Sequence, residues 1–322
     1  MAPQRVATTP RCGALDVADL GHIPTGELPE SLVSEIRRAA LASPAYDGLA
    51  DDGSADARGT VAFGASTVAK LQHRAHERLG TVLRLEWLRH QARIRAPRLL
   101  DHGTVPTGHW WAILDHAPGA PAAEPTPARQ RALGAQLRAW HESGPGAGPQ
   151  LDGDVSGERP GGPGGLRLDD PGGLGVLLGT PREFLGEAYP ELAERYAAVC
   201  QGMPLVPIHG DVAVCHNTLY AGDELAAVLD SGAVEYGPPM LDLACALAID
   251  LPHGAAIDPL LDGYGRDAVD EAALHTLLPL LALRRLVDIK RVGVARVGAR
   301  WLVTWLRACA PDLLPLASPL AA

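Results

Sequence analysis

The alternation of apolar and polar positions divides this chain into segments of unequal clarity. Leu28 to Leu41 predicts a short helix, and a polar loop follows from Tyr46 to Arg58. Gly59 to Leu71, GTVAFGASTVAKL, alternates and is β-branched, which predicts two paired strands. Thr81 to Arg95 returns to helical spacing, with Val82, Leu83 and Leu88 on one face with Glu86. A connector through Ile94 to Leu100 leads to a predicted strand at His109 to Leu114, HWWAIL, which Asp115 to Pro121, DHAPGAP, interrupts. Pro127 to His141 reads as an amphipathic helix and Pro181 to Gln201 as another. Between them, Gly144 to Gly179 is dense in Gly, Pro and Asp and reads as a flexible insertion.

The most informative stretch is Val206 to Ala244. A short apolar run, Pro204 to Ile208, enters His209-Gly210-Asp211, and a polar loop then ends at Asn217. Thr218-Leu219-Tyr220 and Leu225 to Leu229 flank Ala221-Gly222-Asp223-Glu224, a tight-turn sequence, so they predict a hairpin. Asp230-Ser231-Gly232 closes it. Folding the hairpin brings Asn217 and Asp230 side by side, close to Asp211. Phosphoryl transfer needs such a set: one carboxylate to orient a hydroxyl and take its proton, and a carboxylate with an amide oxygen to hold Mg²⁺ on nucleotide phosphates.

Here the chain resembles the aminoglycoside phosphotransferase family, with its choline-kinase and protein-kinase-like relatives. The resemblance rests on His209-Gly210-Asp211, Asn217, Asp230 and Asp242-Leu243-Ala244 in that order. It implies an α+β, two-lobed protein-kinase-like fold, with a small antiparallel N-terminal lobe at 59–116 and a larger helical lobe at 117–322. Residues 1–58 are an extension with a short helix. It also implies ATP as donor, with GTP open, and Mg²⁺ held by Asn217 and Asp230 while Asp211 is the base. The loop from Asp211 to Asn217 looks one residue longer than the family's, so an ungapped alignment puts His216 at the metal position. The undisturbed hairpin register favours Asn217. Ser231 stands where the family commonly has Trp.

The same resemblance gives roles upstream. Lys70, ending a β-branched strand, would grip phosphates and be steadied by Glu86, with Glu77 as the rival partner. The backbone of Leu114, Asp115, His116 and Ala117 would face the adenine at a hinge between lobes. Trp110 and Trp111 are expected in the interlobe core. His209 is expected as a structural partner, and Asp242 as an anchor for the catalytic loop. Leu137 to His141 and Leu260 to Gly265 resemble the family's Leu-His and Tyr-Gly helix ends.

Composition narrows the classes. The chain has 322 residues, 28 Lys or Arg against 38 Asp or Glu, and net charge −10, which disfavours a general nucleic-acid binder. No signal peptide or membrane span is read, and the five scattered cysteines suit reduced cytoplasmic thiols. His73-x-x-His76-Glu77 matches no zinc spacing, GGLGVLLG is no dinucleotide loop, and Gly59 and Gly64 read as turn glycines. Arg284 to Arg307 holds seven Lys or Arg and one Asp. It is either a solvated face or a basic pocket wall suited to a carboxylate- or phosphate-bearing acceptor. Three functions stay open: a kinase for a hydroxyl of an antibiotic-like or natural-product small molecule, for resistance or biosynthesis; a kinase for Ser or Thr of a peptide; and a catalytically silent scaffold that binds nucleotide or a partner protein.

Overall fold

The computed structural model describes residues 30–48, 61–71, 95–142, 189–201, 203–204, 206–230, 235–292 and 296–321. Glu86, Glu77, Gly59, Ser231, the His73/His76 pair, the insertion and most of the helix expected over 81–95 lie outside the described residues.

The N-terminal lobe is built on strands β1 (Val61–Phe63), β2 (Thr67–Leu71), β3 (Leu99–Thr104) and β4 (Trp110–Asp115), antiparallel in the order β1-β2-β4-β3. Helix α1 (Glu30–Leu41) lies across one face, where Ile36 and Ala40 join Ala69, Leu71 and Ile113 in a small core. Side chains alternate along a strand, so Lys70 falls on the opposite face from Ala69 and Leu71. Strand β3 was not foreseen. It is an edge strand with no fully buried residue, so its LLDHGT sequence carries no alternating pattern. Trp111 differs from expectation as well: it packs with the α1 core and against Gly103, while Trp110 is buried on the other face beside Ala112. Gly64 is a turn glycine, its N–H donating to Thr67 O at 2.8 Å. Asp47 pins that turn from the segment after α1, accepting the Ser66 N–H at 2.7 Å.

The second lobe begins with β5 (Ala120–Pro121) and α2 (Pro127–His141), whose N-terminus is capped by the Thr126 hydroxyl accepting the Arg129 N–H. Then come α3 (Tyr189–Cys200), β6 (Val206–Ile208), β7 (Thr218–Ala221), β8 (Glu224–Val228) and β9 (Glu235–Gly237). β5-β7-β8 and β6-β9 form two small sheets. The hairpin turns at Gly222, whose φ of 66° suits glycine. Helices α4 (Pro239–Asp250), α5 (Ile257–Tyr264), α6 (Glu271–Val292), α7 (Arg296–Cys309) and α8 (Leu314–Ala321) complete the lobe. α4 is buried along its whole length from Met240 to Asp250 and packs on α6. α6 runs on through Pro279. Among the described residues no helix is long and apolar enough to cross a membrane.

α2 and α5 cross through two glycines. A Cβ on Gly134 would meet Leu260 O at 2.2 Å, and one on Gly263 would meet Arg131 O at 2.1 Å. Backbone therefore touches backbone, with no side chain free to yield. Gly263→Ala is expected to cost about 1–3 kcal/mol, or more if the helices must separate, as read from urea unfolding. An unchanged midpoint would contradict this packing.

Candidate active site

His209 to Asp230 forms a cup at the mouth of the β7–β8 hairpin, and α4 lies beneath it. The backbone of the Asp211 loop leaves β6 with no strand to pair with, so its amides need other acceptors. Asp242 supplies them on one side: its carboxylate accepts the His209 N–H at 2.8 Å and the Gly210 N–H at 2.7 Å. This is the anchoring role expected of it. Asp242 is fully buried. Burial alone would raise its carboxyl, but the hydrogen bond from His141 and the backbone N–H of His209 outweigh it and hold the group down. His141 in turn meets the Tyr264 hydroxyl at 2.9 Å, tying the ends of α2 and α5 to the loop.

On the far side a second acid does the same work. Asp250 accepts the Val214 N–H at 2.8 Å and the Cys215 N–H at 3.0 Å. Sequence reasoning missed this residue; its signal was a lone acid eight positions after Asp242 in an otherwise apolar helix. Burial pushes its carboxyl up to about 6, against the backbone hydrogen bonds that oppose the rise.

The expected site residues converge as follows. His209 is a strut: its Nε2–H donates to Leu229 O at 2.8 Å and its Nδ1 accepts the Asp211 N–H at 3.3 Å. The Leu229 N–H donates to Asn217 O at 2.7 Å, so Asp230 follows directly on the residue paired with Asn217. Asn217 and Asp230 both sit in the left-handed region, with φ of 56° and 55°. Asn and Asp tolerate that region best among residues with a side chain, yet such conformations cluster at functional sites. The Asn217 Nδ2 donates to Asp211 O at 2.8 Å, which turns its Oδ1 the other way. His216 Nε2 lies 3.3 Å from Asp211 Oδ2.

Asp211 keeps 37% of its side chain exposed. Burial would raise the carboxyl, but the charge and hydrogen bond of His216, then the charge of Arg284, hold it well below the usual range. It is therefore ionised at neutral pH. For His216, desolvation would lower the ring's affinity for a proton, and Asp211 reverses this and raises it.

Lys70 reaches across from β2 and places its Nζ 2.6 Å from Asp230 Oδ1, joining residues 160 apart in the chain. In the 114–117 stretch expected to face the adenine, two amides are already engaged: Asp115 N–H donates to Arg98 O at 2.9 Å and His116 N–H to Ser66 O at 2.8 Å. A purine would therefore have to use other main-chain groups there. Among the described residues no set of three or more His, Cys, Asp or Glu side chains is arranged to hold a metal. One carboxylate with one amide oxygen still fits Mg²⁺, which keeps several waters and shares nucleotide phosphates.

Asp250 gives a pH prediction. Its folded-state value of about 6 exceeds the ordinary 3.8, so the folded chain holds this proton more tightly than the unfolded one. Its contribution thus favours folding below pH 3.8 and is lost as pH rises through about 6, a span worth about 3 kcal/mol. Urea unfolding of the wild type and Asp250→Asn from pH 4 to 7 should show their stability difference shifting against the wild type by that order. Parallel curves would contradict it.

Comparisons with known proteins bear on the family and the fold. A family model described as a phosphotransferase enzyme family matches residues 50–277, well over half the chain. Among solved structures, an aminoglycoside-3′-phosphotransferase of type VIII is similar at 20% identity and TM-score 0.50, over 77% of this chain and 97% of that one. A choline/ethanolamine kinase family protein from Mesorhizobium loti is similar at 14% identity and TM-score 0.50, over 90% and 94%. At such identities these two speak for the fold. No curated protein sequence matches. The chain belongs to the phosphotransferase enzyme family and is an alcohol-acceptor phosphotransferase on a two-lobed, kinase-like α+β fold.

Proposed function

We propose that this enzyme moves the γ-phosphoryl group of ATP to a hydroxyl of a small molecule carrying a carboxylate or phosphate. Asp211 orients the acceptor hydroxyl and takes its proton; its half-open, ionised carboxylate suits that task. Asn217 and Asp230 hold Mg²⁺, with Asn217 favoured over His216 because the His216 ring is turned to Asp211. Bound there, Mg²⁺ would neutralise charge on the β- and γ-phosphate oxygens. Lys70 grips the α/β-phosphates. The observation that carries the reading is the Lys70–Asp230 contact, which sets the strand cation and the hairpin acid at one point between the lobes.

The acceptor's charge is read from α6. It packs on α4 and carries Arg284 and Arg285, both half-buried. Arg284's charge acts on Asp211, and Arg285's acts on His216 and His253. Such a wall attracts an anionic acceptor and repels a polycation such as an aminoglycoside.

Two measurements test the proposal. Acceptor-dependent ADP release should fall about 10²- to 10⁴-fold in Asp211→Asn, the usual contribution of a general base; an equally active variant would refute the role. A panel of hydroxyl acceptors, run with ATP and with GTP and scored by an 80-dalton mass gain, should favour anionic ones. Arg285→Gln should raise their KM about 10-fold, roughly one lost charge contact. Preference for aminoglycosides or for Ser/Thr peptides would contradict the anionic assignment while leaving the kinase reading standing.

A further inference from the structure

The chain between Asp211 and Asn217 folds into a closed turn. Ala213 N–H donates to His216 O at 3.0 Å, and His216 N–H donates back to Ala213 O at 3.2 Å. The turn is buried: Val212, Ala213 and Val214 have no exposed surface, and Cys215 is 6% exposed. The Thr218 hydroxyl lies 2.8 Å from both the Ala213 and the Val214 carbonyl oxygens. The two central amides, Val214 and Cys215, point inward to Asp250.

Asp250 is itself only 2% exposed. A buried carboxylate is costly unless hydrogen bonds satisfy it. Here two adjacent N–H groups meet two oxygens, an arrangement a neutral amide cannot supply, because one of its two ends is a donor. The Asp211 loop thus hangs from α4 at both ends: Asp242 takes the two amides preceding Asp211, and Asp250 takes two amides beyond it. Eight residues separate the acids, about 12 Å along the helix. That rigid spacing sets the distance between the two held portions of the loop.

We propose that Asp250 is a positioning residue for phosphoryl transfer. By holding the Ala213–His216 turn it sets where the His216 ring and the Asn217 amide stand relative to Asp211. Nothing else among the described hydrogen bonds receives the Val214 and Cys215 amides. This role rests on the kinase reading above, whereas the hold on the turn does not.

The test therefore has two arms. Asp250→Asn keeps the volume but orphans one amide. It should lower kcat about 10- to 100-fold, while KM for ATP and acceptor changes less than about 3-fold, because a misplacement near 1 Å costs rate more than binding. Independently of catalysis, the Val214 and Cys215 amides should exchange with deuterium faster in the folded variant than in the wild type, located by peptide mass mapping. Asp250→Glu keeps the charge on a longer arm and should recover part of the rate lost by Asn. It takes over the test if the Asn variant does not fold. A folded variant with kcat within 2-fold of wild type overturns the proposal. So does a rate loss explained wholly by unfolded protein in circular dichroism. Wild-type protein inactive on every acceptor would instead sink the kinase reading, and the positioning role with it, while faster exchange of the Val214 and Cys215 amides would still report the hold.

Discussion

Everything at this site depends on how a loop with buried backbone is kept satisfied without secondary structure. His209, Gly210, Val214 and Cys215 each direct an N–H into the interior, and two carboxylates on α4 receive all four. A buried amide without a partner costs about 1–3 kcal/mol, so these two side chains decide whether the loop has one shape or many. α4 can carry them because it is buried from Met240 to Asp250 and packed against α6. The Asp211 side chain, by contrast, stays open. A fixed backbone under an exposed carboxylate is what positioning-based catalysis requires.

The hairpin adds a second constraint of the same kind. Asn217 and Asp230 adopt left-handed backbone on either side of the bond from Leu229 N–H to Asn217 O. Such conformations cost about 1–3 kcal/mol and persist only where surrounding contacts over-determine them. Those contacts are present: His209 grips Leu229 O, Asn217 Nδ2 grips Asp211 O, and Lys70 meets Asp230. At the hairpin tip, Thr126 Oγ1 donates to Asp223 at 3.1 Å and Arg129 Nε to Gly222 O at 3.1 Å, fixing it to α2. The strain is local and its supports come from both lobes.

Much of this was legible in the residues, for a physical reason. Helix α2 and the β7–β8 hairpin are written in local spacing, and each appears where the pattern puts it. What escaped was written in no pattern. Strand β3 is a half-exposed edge and needs no alternation. Asp250 takes backbone amides as partners, which leave no side-chain signature elsewhere in the chain. Trp111 turned toward α1 because strand register, and not residue type, decides which face a side chain takes. Likewise, the Leu137 to His141 helix end was visible, but the His141 bond to Asp242 was not, since it joins residues 101 apart.

We propose that Asn217 and Asp230 would share one nucleotide-bound divalent cation, with Asp211 facing the phosphoryl group to be transferred. A crystal structure of the enzyme with Mg²⁺ and a non-hydrolysable ATP analogue tests it most directly. One cation within about 2.0–2.1 Å of Asn217 Oδ1 and an Asp230 carboxylate oxygen is the expected result. A cation held by His216, or a triphosphate lying away from Asp230, would rule out this shared site.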